Sequence, residues 1–382
     1  MPLSNEEHNK LTALRKHFHA HPELSGNEKE TSKKVIEQLK AYNPTEIITN
    51  VGVHGVLAVF DSKQNGETVL FRADMDALPI EETNDFDHRS NTKGVSHKCG
   101  HDGHTVMLLG LAQLISKQPP QKGKAVLLFQ PAEENGEGAA AVFGDEKFQA
   151  TKPTRVFGLH NLPGYPLHKI ILKDNEFTAS VKSIVINLTG KTAHAGEPEN
   201  GINPSLAVAE ILQQVPLWSN NRPEKDDFSI VTPIHVNLGS KAYGISAGLA
   251  DVHLTIRTWS ENQMQQLQEK IESFVVAVSK KHKLKTDYYY TQEFQANHNH
   301  PEAIDIVKKS AENINLNTEK RAYPFTWGED FGLFTQHYKG AFFGVGSGEN
   351  CPSLHNPDYD FPDKIIPTGM GLFYELYKHY LR

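Results

Sequence analysis

The chain has 382 residues, too many for one ordinary hydrophobic core, so two domains are expected. With 38% hydrophobic and 22% charged residues its composition is that of a globular protein, and no run approaches the ~18 apolar residues of a membrane span. A formal charge of -7 argues against a nucleic-acid-binding surface, which is basic as a rule. The opening MPLSNEEHNKL carries acids early and no apolar stretch, so it does not read as a signal peptide, and the expected compartment is the cytoplasm. Two cysteines, Cys99 and Cys351, cannot make a disulfide framework for a chain this long.

From Asn5 to about Tyr42 the apolar spacing is helical. Leu11, Leu14 and Phe18 share one face, and Val35, Ile36 and Leu39 form another after a break at Pro22–Gly26. Short apolar runs follow at Val56–Phe60, Val69–Phe71 and Ala125–Phe129, each reading as a strand buried on both faces, with a helix expected over Gly103–Ser116. Strands alternating with helices imply an α/β class with a mixed, largely parallel sheet. In such sheets sites collect in loops beyond the carboxyl ends of strands, the position of RADMDALP and QPAEENGEG here.

From Ala179 the pattern changes. Strands are expected at Ser180–Thr189, Phe228–Leu238, Leu249–Trp259 and Lys285–Phe294, and helices at Asn203–Trp218 and Glu261–Lys283. The order β-α-β-β-α-β is ferredoxin-like. The expected organisation is therefore a catalytic domain over residues 1–178 and 295–382, interrupted by a ferredoxin-like insert over 179–294. After Asn297 come a helix (Pro301–Ile314), strand and loop, and a last helix near Thr368–Tyr380.

His97-Lys-Cys99-Gly-His101-Asp-Gly-His104 is the densest group of donors. An extended Cys-x-His step would put Cys99 and His101 on one side of the backbone, and thiolate with imidazole suits Zn or a neighbouring first-row metal. Glu133 and Glu134 follow the strand at Ala125–Phe129 and, as neighbours, are expected to point differently. One would ligate metal while the other serves as general base. His160 and His355 each end an apolar stretch. With Cys99, His101 and Glu134 they make five donors, enough for two ions with an open position. Asp76 reads either as the carboxylate that orients a ligating histidine or as a loop-closing acid paired with Arg72.

These segments, with HAHPEL, AHAGEPENGINP, GEDF and LHNPDYDF, follow one another nearly end to end as they do in the M20 metallopeptidase clan. The chain resembles its amidohydrolase branch, the N-acyl-amino-acid, hippurate and auxin-conjugate hydrolases. The resemblance implies Cys99, His101, Glu134, His160 and His355 as ligands of two divalent ions, and Glu133 as general base and proton shuttle. Zn, Mn, Co and Ni all accept such donors. It implies hydrolysis of N-acyl amino acids, with a dipeptidase or aminopeptidase as the alternative. The insert would be a lid and dimerisation domain of a homodimer. Its His194 would reach a neighbouring active site to stabilise the oxyanion, and Arg257 would bind the substrate carboxylate; on their own residues the first also reads as a tight turn after a strand and the second as half of a surface ion pair. The chain departs from the branch at residues 242–248 and in the acidic loop at 196–204, where substrate contacts would be set. His17, His19 and His21 cannot share an ion on a helix and read as structural. His298 and His300 read as solvated, and Cys351 as packed.

Overall fold

The computed structural model describes residues 4–382; the first three residues of the N-terminal stretch read above lie outside the described residues. Contacts divide it into two units. One takes the chain up to Phe177, Asn297–Ala322 and Glu329–Arg382; the other takes Thr178–Ala296 and Tyr323–Gly328.

The first unit is built on an eight-stranded sheet. Its order is Glu46–Val51, Gly55–Asp61, Lys124–Gln130, Thr68–Asp74, Arg155–Pro163, Lys339–Gly348, Ile170–Leu172 and Thr318–Lys320. The central pairings, Lys124–Gln130 with Thr68–Asp74, on to Arg155–Pro163 and then to Lys339–Gly348, are parallel. The flanking strands Gly55–Asp61 and Glu46–Val51 run antiparallel, so the sheet is mixed and mostly parallel, as expected. Thr68–Asp74 is buried at every position, which is why it reads as a continuous apolar run rather than an alternating one. The helix His101–Lys117 is apolar nearly all round because it lies between the sheet and the helices Asn5–Ala20 and Ile366–Leu381. The first of those helices starts on a capping box, in which the Ser4 side chain accepts from Glu7 N while Glu7 accepts from Ser4 N.

In the second unit Ser229–Leu238, Leu249–Thr258, Ser180–Thr189 and Lys285–Phe294 form an antiparallel sheet in that spatial order. With the helices Ser205–Trp218 and Glu261–Lys281 this is the ferredoxin-like arrangement. Both helices pack on one face, so Leu249–Thr258 alternates between buried and part-exposed positions along its length. Ser229–Leu238 is an edge strand exposed from Thr232 onward, with Ile234, Val236 and Leu238 facing water.

Candidate metal centre

The site lies beyond the carboxyl ends of three adjacent parallel strands of the first unit. Thr68–Asp74 delivers Asp74 and Asp76, Lys124–Gln130 delivers Glu133 and Glu134, and Arg155–Pro163 carries His160. Cys99 and His101 enter from the start of the helix His101–Lys117. They are not joined by an extended step, as the spacing had suggested. Gly100 between them is left-handed (φ 96°), and a Cβ there would meet Asn161 Oδ1 at 2.3 Å. Only glycine lets the chain turn into the helix so close to the next strand.

The donors converge. Cys99 Sγ lies 3.4 Å from His160 Nε2, His101 Nε2 lies 3.7 Å from Glu134 Oε1, and His355 Nε2 lies 3.5 Å from Glu134 Oε2. Two groups of three share the thiol: Cys99, His101 and His160, and Cys99, Glu134 and His355. Glu133 Oε2 also comes within 3.9 Å of His101 Nε2, so the two adjacent glutamates do approach one centre, against the expectation that they diverge. The cause is local. Ala132 is left-handed (φ 53°), its N–H donating to Glu28 and its carbonyl accepting from Gly138 N, which ends the strand's alternation just before Glu133.

The neighbouring groups hold these donors in place. His101 Nδ1 lies 3.1 Å from Asp76 Oδ1, and the other Asp76 oxygen accepts from Ser25 Oγ and Glu134 N. Asp76 is not paired with Arg72. That guanidinium is buried among Asp74, Glu329 and Asp330, at 2.6, 2.9 and 2.7 Å. His104 Nδ1 bonds Asp74, and its Nε2 accepts from Asn161 N. GEDF, quoted only for resemblance, thus supplies two acids beside Glu133, and a pattern search has no means of pairing residues so far apart in sequence.

The electrostatics of the cluster call for positive charge. Burial raises the Glu133 carboxyl well above its usual range, and the charges of Glu329 and Glu134 add to this against Arg72. Burial likewise pushes Glu134 up to about 8, opposed by His101. Burial disfavours the charged form of His101, but Asp74 and the Asp76 hydrogen bond outweigh it and raise the imidazole to about 10. The Cys99 thiol is raised by burial and then by Glu134 and Glu133, so a thiolate there needs a cation beside it. His101 Nε2 and Glu134 Oε1 are buried and have no hydrogen-bond partner among the described residues. Buried polar atoms are otherwise nearly always satisfied, so this donor set fits a metal ion.

The remaining site residues of the sequence reading lie in the second unit. His194 is exposed in a two-residue strand paired with Ile245–Ser246, and its Nδ1 accepts from Gly196 N at 3.0 Å. Arg257 lies on Leu249–Thr258, with Nη1 donating to Thr326 O at 2.7 Å. Among the described residues no carboxylate is within ion-pair distance of it. His19 takes part in a buried ionic network, bonded to Asp102 and Glu82 at 2.8 and 3.0 Å. His298, expected to be solvated, is exposed but bonded to Glu176, and Cys351 packs half-buried against the main core.

Fold and donor cluster together define an α/β protein with a candidate metal centre beyond the carboxyl ends of its central strands. The profile of peptidase family M20/M25/M40 matches residues 70–379, and the chain belongs to that family. It is 31% identical to the N-acetyl-L-cysteine deacetylase of Bacillus subtilis (strain 168) over 378 residues, 97% of this chain and 88% of the relative. It is 29% identical to the hippurate hydrolase of Campylobacter jejuni over 371 residues, 97% of this chain and 96% of the relative. A solved structure described as a dinuclear metal-binding peptidase of the M20 family from Bacillus subtilis matches with a TM-score of 0.82. It is 26% identical and covers 98% of both chains. No helix among the described residues is long and apolar enough to cross a membrane.

Proposed function

We propose that the protein hydrolyses the amide bond of N-acyl amino acids, releasing a carboxylate and the free amino acid, with two divalent ions held by Cys99, His101, Glu134, His160 and His355. The observation that carries this reading is the convergence of these donors around the orphaned His101 Nε2 and Glu134 Oε1. The names of the two curated relatives, both hydrolases of small acylated amino acids, support the substrate class. Such ions supply a Lewis acid for the amide carbonyl and lower the pKa of water to about 7. Glu133, whose proton affinity is raised by burial, takes a proton from the attacking water and delivers it to the leaving nitrogen. Asp76 holds the His101 ring through Nδ1, which leaves Nε2 free to ligate an ion.

His194 is the proposed oxyanion donor, supplied by a partner subunit. Its Nδ1 accepts a backbone N–H, so the neutral ring carries its proton on Nε2 and can donate there. Arg257 is the proposed receptor for the substrate carboxylate, which its lack of an acidic neighbour supports. The exposed apolar edge strand Ser229–Leu238 supports a homodimer formed through the insert. We place the enzyme in the cytoplasm.

The test is a panel of N-acetyl, N-benzoyl and indole-acetyl amino acids plus dipeptides, offered to metal-stripped protein with Zn, Mn, Co or Ni added back. Metal-dependent release of amino acid from one acyl class is the expected result. Cleavage of dipeptides alone would replace the reading by a peptidase, and release with no added metal would remove the ions from it.

A further inference from the structure

The three histidine donors are not held alike. His101 is oriented by Asp76 and His160 by the Asn161 carbonyl, each through Nδ1. The His355 ring, half-exposed, meets Glu134 through Nε2 at 3.5 Å, but among the described residues nothing orients it through Nδ1. Its placement rests mainly on the backbone, and that backbone is left-handed (φ 65°), which is uncommon for a residue with a side chain.

Lys98 is the residue that holds this backbone. The His355 N–H donates to the Lys98 carbonyl at 2.7 Å. The Lys98 side chain is wholly buried, with Nζ donating to Glu82 Oε1 at 2.5 Å and to the Tyr359 carbonyl at 2.8 Å. One residue therefore grips the His355–Tyr359 arm at both ends, and it is the immediate neighbour of Cys99. A lysine with no exposure serves no solvent or surface purpose, and its charge is costly to bury unless paired. Glu82 completes the grip, itself held by Ser90 N, Asn84 and His19. The Tyr359 hydroxyl ties the same arm to Asn161 at 2.6 Å.

We propose that Lys98 is a positioning residue that fixes the His355 arm against the Cys99 arm and thereby sets the affinity for one ion, the one at Cys99, Glu134 and His355. The ion at Cys99, His101 and His160 does not depend on it, because both of those histidines have their own orienting bonds. This inference rests on the metal centre proposed above.

The experiment is a titration of the metal-stripped full chain with Co or Zn against a competing chelator, with the Cys99 thiolate absorption of the Co form as a second readout. The wild type should bind two ions. Lys98→Met should keep one ion at wild-type affinity, with its thiolate band, and weaken the other by roughly 10–100-fold, the usual effect of losing a group that orients a ligand. Lys98→Arg, which restores a buried cation on Glu82, should recover part of the loss. Should Lys98→Met fail to fold, Glu82→Gln loosens the same ammonium and should weaken the same ion by a smaller factor. Two unchanged affinities in Lys98→Met, or an equal fall in both, would overturn the proposal while leaving the metal centre intact. A wild type that binds no ion, or only one, would refute the two-ion centre itself, whatever Lys98 does.

Discussion

In the first unit the donor residues are mostly buried and their flanking groups already partnered. Asp76 accepts three hydrogen bonds, Arg72 meets three acids, and His104 is bonded at both nitrogens. In the second unit the two candidate substrate residues are loosely held. The His194 side chain is exposed with one local bond, and among the described residues Arg257 has one carbonyl contact and no acid within ion-pair distance. A site that must hold ions in fixed positions needs every orienting bond made before substrate arrives. Groups that meet a charge developing in the reaction, or an incoming carboxylate, must keep donors uncommitted. On the proposed reading the first unit holds the ions and the general base, and the second offers uncommitted donors, His194 to the oxyanion and Arg257 to the substrate carboxylate.

The largest expected effect is at Glu133. Glu133→Gln should keep metal content and lose turnover by about 10²–10⁴-fold, the usual weight of a general base. Metal analysis beside kcat checks this, and full activity would assign the proton transfer elsewhere. His194→Ala should lower kcat by about 10²–10³-fold, or ~3 kcal/mol, with metal binding unchanged. A fall in metal content instead would move His194 into the same class as the first-unit donors and erase the contrast.

Asp76→Asn should weaken metal affinity by about 10–100-fold, read by chelator competition, because His101 would lose the carboxylate that orients it. The smallest effect is on stability. Burial disfavours a charged His19, but bonds to Asp102 and Glu82 outweigh it and raise the group from 6.5 to about 9. The folded state thus holds a proton that the unfolded chain releases near 6.5, so this contribution is complete below 6.5 and is lost as pH rises through about 9. The melting temperature of the wild type should fall across that window, and His19→Gln should show a shallower fall. Equal slopes would mean that His19 is neutral in the folded protein.

The central strands and the insert were legible because burial leaves a pattern. Val69–Phe71 and Ala125–Phe129 read as apolar runs since both faces of the sheet are covered, and Leu249–Thr258 alternates since only one face is. Glu46–Val51 and Ile170–Leu172 went unread, and the strand expected after Pro301–Ile314, where Thr318–Lys320 lies, was given no bounds. The first is mostly part-exposed, and the other two are too short to show a period. In the centre, the residue types and Gly-rich spacing of Cys99, His101, Glu133 and Glu134 point to metal chemistry in combination, where a lone Cys-x-His or Glu-Glu pair would not. Their local geometry is another matter: the left-handed Gly100 and Ala132, which bring Cys99 to His101 and both glutamates to one imidazole, defeat reasoning from extended backbone.

The sequence by itself determined the alternation of strands and helices, the ferredoxin-like order of the insert and the donor types, because propensity, periodicity and ligand chemistry act over a few residues. Only the tertiary structure decided who partners whom. Arg72 is set against Asp330, Lys98 against Glu82 and Tyr359, and His355 reaches the Cys99 arm across most of the chain's length. Pairings of that kind follow from which loops the sheet gathers at one edge, and from the demand that each buried charge be met there.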